Sequence, residues 1–142
     1  MSTEQNKAIM RRIPEEAFGQ GNLAVVDEVF APDYIPHVQR RVPNGANGTA
    51  AVKQFIGMVR SAFPDVRYTV EDAIAEGDKV VMRVNISGTH QGDFMGVPAT
   101  GKEVGWTEMH IARMADGKLV EHWFSSDQLA LLQQLGALPA RG

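Results

Sequence analysis

Through Ala62 the apolar positions recur every three or four residues, and after Pro64 they recur every second residue. The first spacing loads one face of a helix and the second one face of a strand, so the pattern predicts helices followed by a sheet. Ile9, Ile13 and Ala17, with Met10 beside them, make a helical stripe from about Glu4 to Phe18. Thr3 stands at its N-cap, Glu4 suits the positive end of the macrodipole, and Pro14 should kink or split it. Gly19-Gln20-Gly21 stops this helix. Asn22 then caps a short second one, Leu23 to Phe30, which buries Val25, Val26 and Val29. Tyr34-Ile35-Pro36-His37 reads as a short extended segment that Pro36 confines to an edge or a bend. A polar loop, 38–48, leads to a third helix capped by Thr49 and running to about Ala62, with Val52, Phe55, Ile56 and Val59 inward.

Val66, Tyr68 and Val70 open a strand that reaches about Ala75. Glu76-Gly77-Asp78 turns the chain into a second strand, Val80 to His90, with Val80, Met82, Val84 and Ile86 on one side. In the loop 91–102, Phe94 and Met95 look exposed, and apolar loop residues of this kind often fold over something. Two strands rich in aromatic and β-branched residues, Glu103–Met114 and Lys118–Ser126, then flank Ala115-Asp116-Gly117, a strong hairpin signal. A three-residue loop would pair Met114 with Lys118, His110 with His122, Glu108 with Phe124 and Trp106 with Ser126. Trp106, Glu108, His110, His122, Phe124 and Ser126 then share one face; Met109, Ile111, Leu119 and Trp123 lie on the other. A two-residue loop would shift the register and break that grouping. Asp127 caps a terminal helix, Gln128 to Leu135, closed by Gly136, and Ala137–Gly142 is a tail.

Three helices, a four-stranded antiparallel meander and a short helix make an α+β fold, read as one domain over residues 1–142. Helices on one face of a curved sheet leave a ligand cavity between the layers. The opposite face is then wet or a dimer surface, and Trp123 with its apolar neighbours favours a homodimer. Apolar content of 44% and charged content of 22% are ordinary for a globular chain. A net charge of −3 with no basic run argues against nucleic acid or an anionic membrane as partner. The absence of cysteine removes disulfides, thiolate zinc sites and a thiol nucleophile. No apolar run suits a membrane span, and Met1–Lys7 lacks the apolar core of a signal peptide, so a soluble, cytoplasmic protein is expected.

Three stretches carry a resemblance to a known family: Val25–His37 (Val-Val-Asp-Glu-Val-Phe-Ala-Pro-Asp-Tyr-Ile-Pro-His), Gly88–Lys102, and Asp116-Gly117-Lys118-Leu119-Val120-Glu121-His122-Trp123 with Asp127-Gln128 and Leu131–Gly136. The element order resembles the nuclear transport factor 2-like fold, a cone-shaped half-barrel of curved sheet closed by helices. The motifs are similar to its SnoaL-like polyketide cyclase (ester cyclase) branch. That resemblance implies cofactor-independent chemistry: a pocket carboxylate removes an acidic proton next to a carbonyl, and the enolate closes an aldol ring. It maps the family's histidine onto His110. In the His-Trp-Asp form of the motif the base follows the tryptophan, and here that position is Phe124.

His110 is thus the candidate for orienting or polarising the substrate, with Glu108 or Asp127 as base, although Asp127 also fits a plain helix cap. Trp106, His122, Phe124, Phe55 and Met58 are candidates for the pocket wall, with Tyr34 and His37 at its mouth by analogy and His90 on a neighbouring loop. His110 with His122 makes an incomplete metal site, and no metal or cofactor is called for. Two alternatives stay open. A chain without the family's base could merely sequester an apolar or aromatic metabolite, or the pocket could run an isomerisation or dehydration.

Overall fold

The computed structural model describes residues 1–38, 42 and 45–138, so parts of the 38–48 loop and of the C-terminal tail lie outside the described residues. Helix α1 spans Thr3–Arg12, and its cap is Ser2, one residue earlier than the spacing predicts. The reason is a reciprocal capping box: Gln5 N–H donates to Ser2 Oγ at 3.1 Å and Ser2 N–H donates to Gln5 Oε1 at 2.9 Å. Pro14 splits the α-helix, as expected, without ending the helical path. Ile13–Phe18 instead widens into a π-helical turn, which accommodates the ring and the missing N–H. Helix α2 is Ala24–Val29 and α3 is Gly48–Ala62, and neither begins on a side-chain cap. Asn22 contributes its carbonyl, which accepts from Val25 N–H at 3.3 Å, and Thr49 lies inside α3.

The sheet has five strands rather than four. β1 is Phe30–Pro36, β2 Arg67–Glu76, β3 Lys79–Thr89, β4 Glu103–Ala115 and β5 Lys118–Ser126, in the spatial order β1-β5-β4-β3-β2. The short extended segment expected at 34–37 grows into β1, which lies parallel to β5 and makes the sheet mixed. Pro32 and Pro36 are tolerated there because β1 is an edge strand. Helix α4, Gln128–Gln134, follows β5.

The β4–β5 hairpin corrects the expected register. Asp116 and Gly117 form a two-residue turn with φ of 51° and 76°, the left-handed pair of a type I′ connection. Such a turn alone would send His122 to the outer face, but the register shifts between Arg113 and Met114. Leu119 pairs with Met114, Glu121 with Arg113, and Val120 is the extra residue of a bulge. Parity is thereby restored. His110 faces Phe124, Ala112 faces His122 and Glu108 faces Ser126, and the predicted grouping survives although each predicted pair is wrong. Leu119, which lies before the bulge, points inward and is fully buried rather than sharing a face with Trp123.

Met82, Val84 and Ile86 of β3, with Trp106, Ala112 and Leu119, pack under Met10, Ile13, Phe18, Val52, Ile56 and Val59 of the helices. The outer face carries a row that crosses four strands through consecutive pairs, Ile74–Val81–Ile111–Trp123. His37 lies on this face, its ring stacked on Trp123 at 4.5 Å, with Nε2 2.6 Å from Glu121 Oε2. Hydrogen bonds from Arg113 and then His37 hold the Glu121 carboxyl below the usual carboxylate range. A depressed carboxylate adds stability above its unfolded pKa and loses it as pH falls through the folded value. Glu121→Gln is therefore expected to lower Tm at neutral pH, where the carboxylate adds stability, and to flatten the acid limb so that the two proteins converge below about pH 4 in a Tm-against-pH curve.

Candidate active site

Alternation along β4 and β5 sends Trp106, Glu108, His110, His122 and Phe124 toward the helices. The four ring and carboxylate groups nearest the centre form one line. Glu108 Oε1 lies 2.9 Å from His110 Nε2, and His110 Nδ1 lies 3.0 Å from His122 Nε2. Trp106 Nε1–H reaches the other carboxylate oxygen at 3.4 Å. The two imidazoles lie within 4° of coplanar, and Phe124 stacks beside His110 with centroids 5.3 Å apart. His110 and His122 are buried, and the Glu108 side chain keeps only 15% of its exposure.

Two hollows meet at this line. The deeper is a recess of about 20 Å³ over His110 and His122, roofed by Met10, Ile13, Pro14 and Phe18. The larger is a cavity of about 740 Å³ lined by Phe55, Met58 and Tyr68 on one side and Trp106, Glu108 and Phe124 on the other. Glu108, Phe55, Tyr68 and Phe124 border both. Glu108 is the one acidic or basic side chain that the described residues present to the larger cavity, while both histidines stand behind it. The volume is that of a site for a drug-sized molecule. Among the described residues no cluster of His, Cys, Asp or Glu could hold a metal, and no helix is long and apolar enough to cross a membrane.

The loop after β3 supplies a wall. Phe94 N–H donates to the Val97 carbonyl at 3.0 Å and Val97 N–H to that of Phe94 at 2.9 Å, around Met95 (φ 53°) and Gly96 (φ 78°). Phe94 is buried edge-on against Phe63, so it is not exposed as its loop position suggests, whereas Met95 remains half exposed at the cavity. His90 secures the base of this loop. It is fully buried, accepts from Thr100 N–H at 3.2 Å, and has Thr100 Oγ1 at 3.0 Å from the same Nδ1. Gln91 and Gly92 N–H both donate to the Ala62 carbonyl at the end of α3, at 2.8 and 3.1 Å. A Cβ on Gly92 would sit 2.7 Å from the Ser61 carbonyl oxygen. Gly92→Ala is expected to lift the loop from α3 at a cost of about 1–3 kcal/mol in urea unfolding.

The structure therefore gathers Glu108, His110, His122, Trp106, Phe124, Phe55 and Met58 at the hollows and leaves four candidates elsewhere. Asp127 accepts from Ala130 N–H at 3.1 Å as the cap of α4 and borders neither hollow. His37 is on the outer face, because Pro36 pairs with the inward His122 and the next residue turns to the opposite side, against Trp123. Tyr34 packs on Phe30 beside a separate cleft of about 30 Å³ at the start of α3. His90 serves the loop from beneath. Sequence reasoning missed Tyr68, Gln128, Ser126 and Leu131 as lining residues. Tyr68 was visible as an inward position of β2 and Ser126 as a member of the inward face of the hairpin; Gln128 and Leu131 depend on how α4 folds back.

The family model for SnoaL-like polyketide cyclases matches residues 8–135. The chain belongs to that family. It is 32% identical over 122 residues to nogalonic acid methyl ester cyclase of Streptomyces nogalater, covering 84% of this chain and 90% of the relative. It is 29% identical over 138 residues to the aklanonic acid methyl ester cyclase DnrD of Streptomyces peucetius, covering 96% and 92%. Among solved structures, TsrD of Streptomyces laurentii superposes with a TM-score of 0.86 at 28% identity, covering 97% of this chain and 99% of the other. AclR of Streptomyces galilaeus, proposed to be a hydroxylase, superposes with a TM-score of 0.84 at 31% identity, covering 99% and 87%. The α+β cone of nuclear transport factor 2-like proteins is thus this chain's fold, and one cone serves more than one chemistry.

Proposed function

We propose that this SnoaL-like protein is a cofactor-independent cyclase of a small apolar or aromatic polyketide ester, with Glu108 as its base. The observation that supports this reading is the placement of one carboxylate at the inner end of a 740 Å³ cavity, backed by a buried imidazole at 2.9 Å. Glu108 removes the acidic proton from a carbon between two carbonyls, and the C–H pair becomes the enolate. The enolate carbon bonds to a ketone carbon of the same molecule, the ketone's π pair becomes an alkoxide, and Glu108 returns the proton to that oxygen. No atom or electron is left over. Tyr68, Ser126 and Gln128 line the cavity with groups able to donate to the developing oxyanions. Phe124 occupies the position of the family's usual base, and the carboxylate one strand away, on the same inward face, replaces it.

Nogalonic acid methyl ester, named for the relative above, is the probe to try first. Cyclisation followed by absorbance and product mass tests the reading; binding without turnover would support simple sequestration, the alternative that Phe124 favours.

The homodimer belongs to the same proposal. The Ile74–Val81–Ile111–Trp123 row lies between the Asp72–Arg83 and Arg113–Glu121 ion pairs, so a second copy can meet it with apolar surface centred and opposite charges at the sides. Sedimentation is expected to give twice the 15.5 kDa chain mass, and Ile111→Asp to give the single chain. A monomeric parent protein would contradict it.

A further inference from the structure

Two buried imidazoles in series are more than a base needs, since His122 borders only the deeper recess and stands one ring behind His110. Its use follows from proton bookkeeping. An ionised carboxylate accepts and never donates, so the 2.9 Å contact with Glu108 Oε1 puts a proton on His110 Nε2. A neutral His110 ring then offers a bare Nδ1. His122 Nε2, 3.0 Å away, has to be the donor to it. The 4° angle between the rings lets that N–H point along the in-plane lone pair of its neighbour.

We infer that His122 is a positioning residue: its Nε2–H, donated to His110 Nδ1, matches the tautomer that the Glu108 contact sets and fixes the rotation of the His110 ring, so that the ring's opposite edge holds the Glu108 carboxylate toward the cavity. His110 acts in the same sense, through Glu108. The logic is that of any imidazole whose orientation is set by a buried partner at its far nitrogen. Phe124 lies nearly parallel to both rings, at 16° and 20°, with centroids 5.3 and 5.4 Å away, and packs beside the pair. The catalytic consequence rests on Glu108 being the base; the tautomer rests only on its carboxyl being ionised.

Nitrogen-15 NMR on histidine-labelled protein separates the two. In the parent protein, His110 is expected to show a protonated, pyrrole-type Nε2 and a pyridine-type Nδ1, with a nitrogen–nitrogen coupling across the bond from His122 Nε2. A proton on His110 Nδ1, or no such coupling, would overturn the inference whatever the protein's activity. Among variants, His122→Gln places an amide N–H close to where the imidazole N–H lies and should retain the His110 tautomer. His122→Leu should keep the proton on Nε2, which Glu108 still accepts, but lose the ring's fixed orientation, read as broadened His110 signals. With the methyl ester as probe, His122→Leu should lower kcat about 10- to 100-fold with KM little changed, the range for losing an orienting partner, and His122→Gln should recover most of it. Equal loss in both variants would mean that His122 is merely packing. An unaltered rate in Glu108→Gln would instead reject the base while leaving the NMR result to stand or fall by itself.

Discussion

Glu108→Gln is expected to lower kcat for ester cyclisation by about 10²- to 10⁴-fold, the usual contribution of a positioned general base, with affinity nearly unchanged. That is about 2.7–5.5 kcal/mol of barrier, more than any other single change in the cavity should cause. The amide keeps the shape of the side chain, and its oxygen still accepts from His110 Nε2, so the rest of the site has no reason to rearrange. Only the capacity to take a proton is removed. Stopped assays at saturating ester, paired with calorimetric titration of the same variant, read both halves of the expectation. A tightly binding, inactive Glu108→Gln identifies the residue as base; an active one returns the chemistry to another group.

The largest expected effect on stability is at Phe63, which is fully buried at the end of α3 and packs against His90, Phe94 and Trp106 at once, with ring centroids 5.3–5.5 Å away. Phe63→Ala is expected to cost about 3–5 kcal/mol, as other deletions of buried aromatic rings do. For a domain of ordinary stability that is a large share of the total. The urea midpoint should fall with the slope unchanged. Because the ring supports both the cavity loop and the strand segment bearing Trp106 and Glu108, ligand affinity should fall with it. A loss below about 1 kcal/mol would mean that the loop and sheet are held by other contacts.

Period and turn chemistry made most of this fold legible. Spacing of three and four located α1 and α3, alternation located β2 to β4, and Asp116-Gly117 located the hairpin. The parallel strand β1 was not readable, since Phe30–Pro36 carries two prolines and only its partner β5, whose paired residues lie 86 to 89 positions later, makes it a strand. The bulge at Val120 was equally silent, because nothing in Leu119-Val120-Glu121 distinguishes an extra residue from a paired one. The inward grouping of Glu108, His110 and His122 was recovered because a two-residue turn plus one bulged residue gives the same parity as a three-residue loop. Tyr34 and His37, placed by analogy, and His90, placed by its neighbouring loop, fared differently. All three lie away from the cavity, because their positions depend on edge pairing and loop anchoring that alternation does not encode.

The sharpest test asks whether the protein itself ionises a carbon acid, and whether residue 108 does it. An analogue of the ester that lacks the ring-closing ketone can only be deprotonated and reprotonated, so in deuterated buffer the exchange of its acidic C–H, followed by proton NMR, isolates that step. Fast exchange with the parent protein and background exchange with Glu108→Gln, at equal occupancy, is the result the structure calls for. Equal rates in the two proteins, or an occupied parent protein that leaves the C–H untouched, would contradict it.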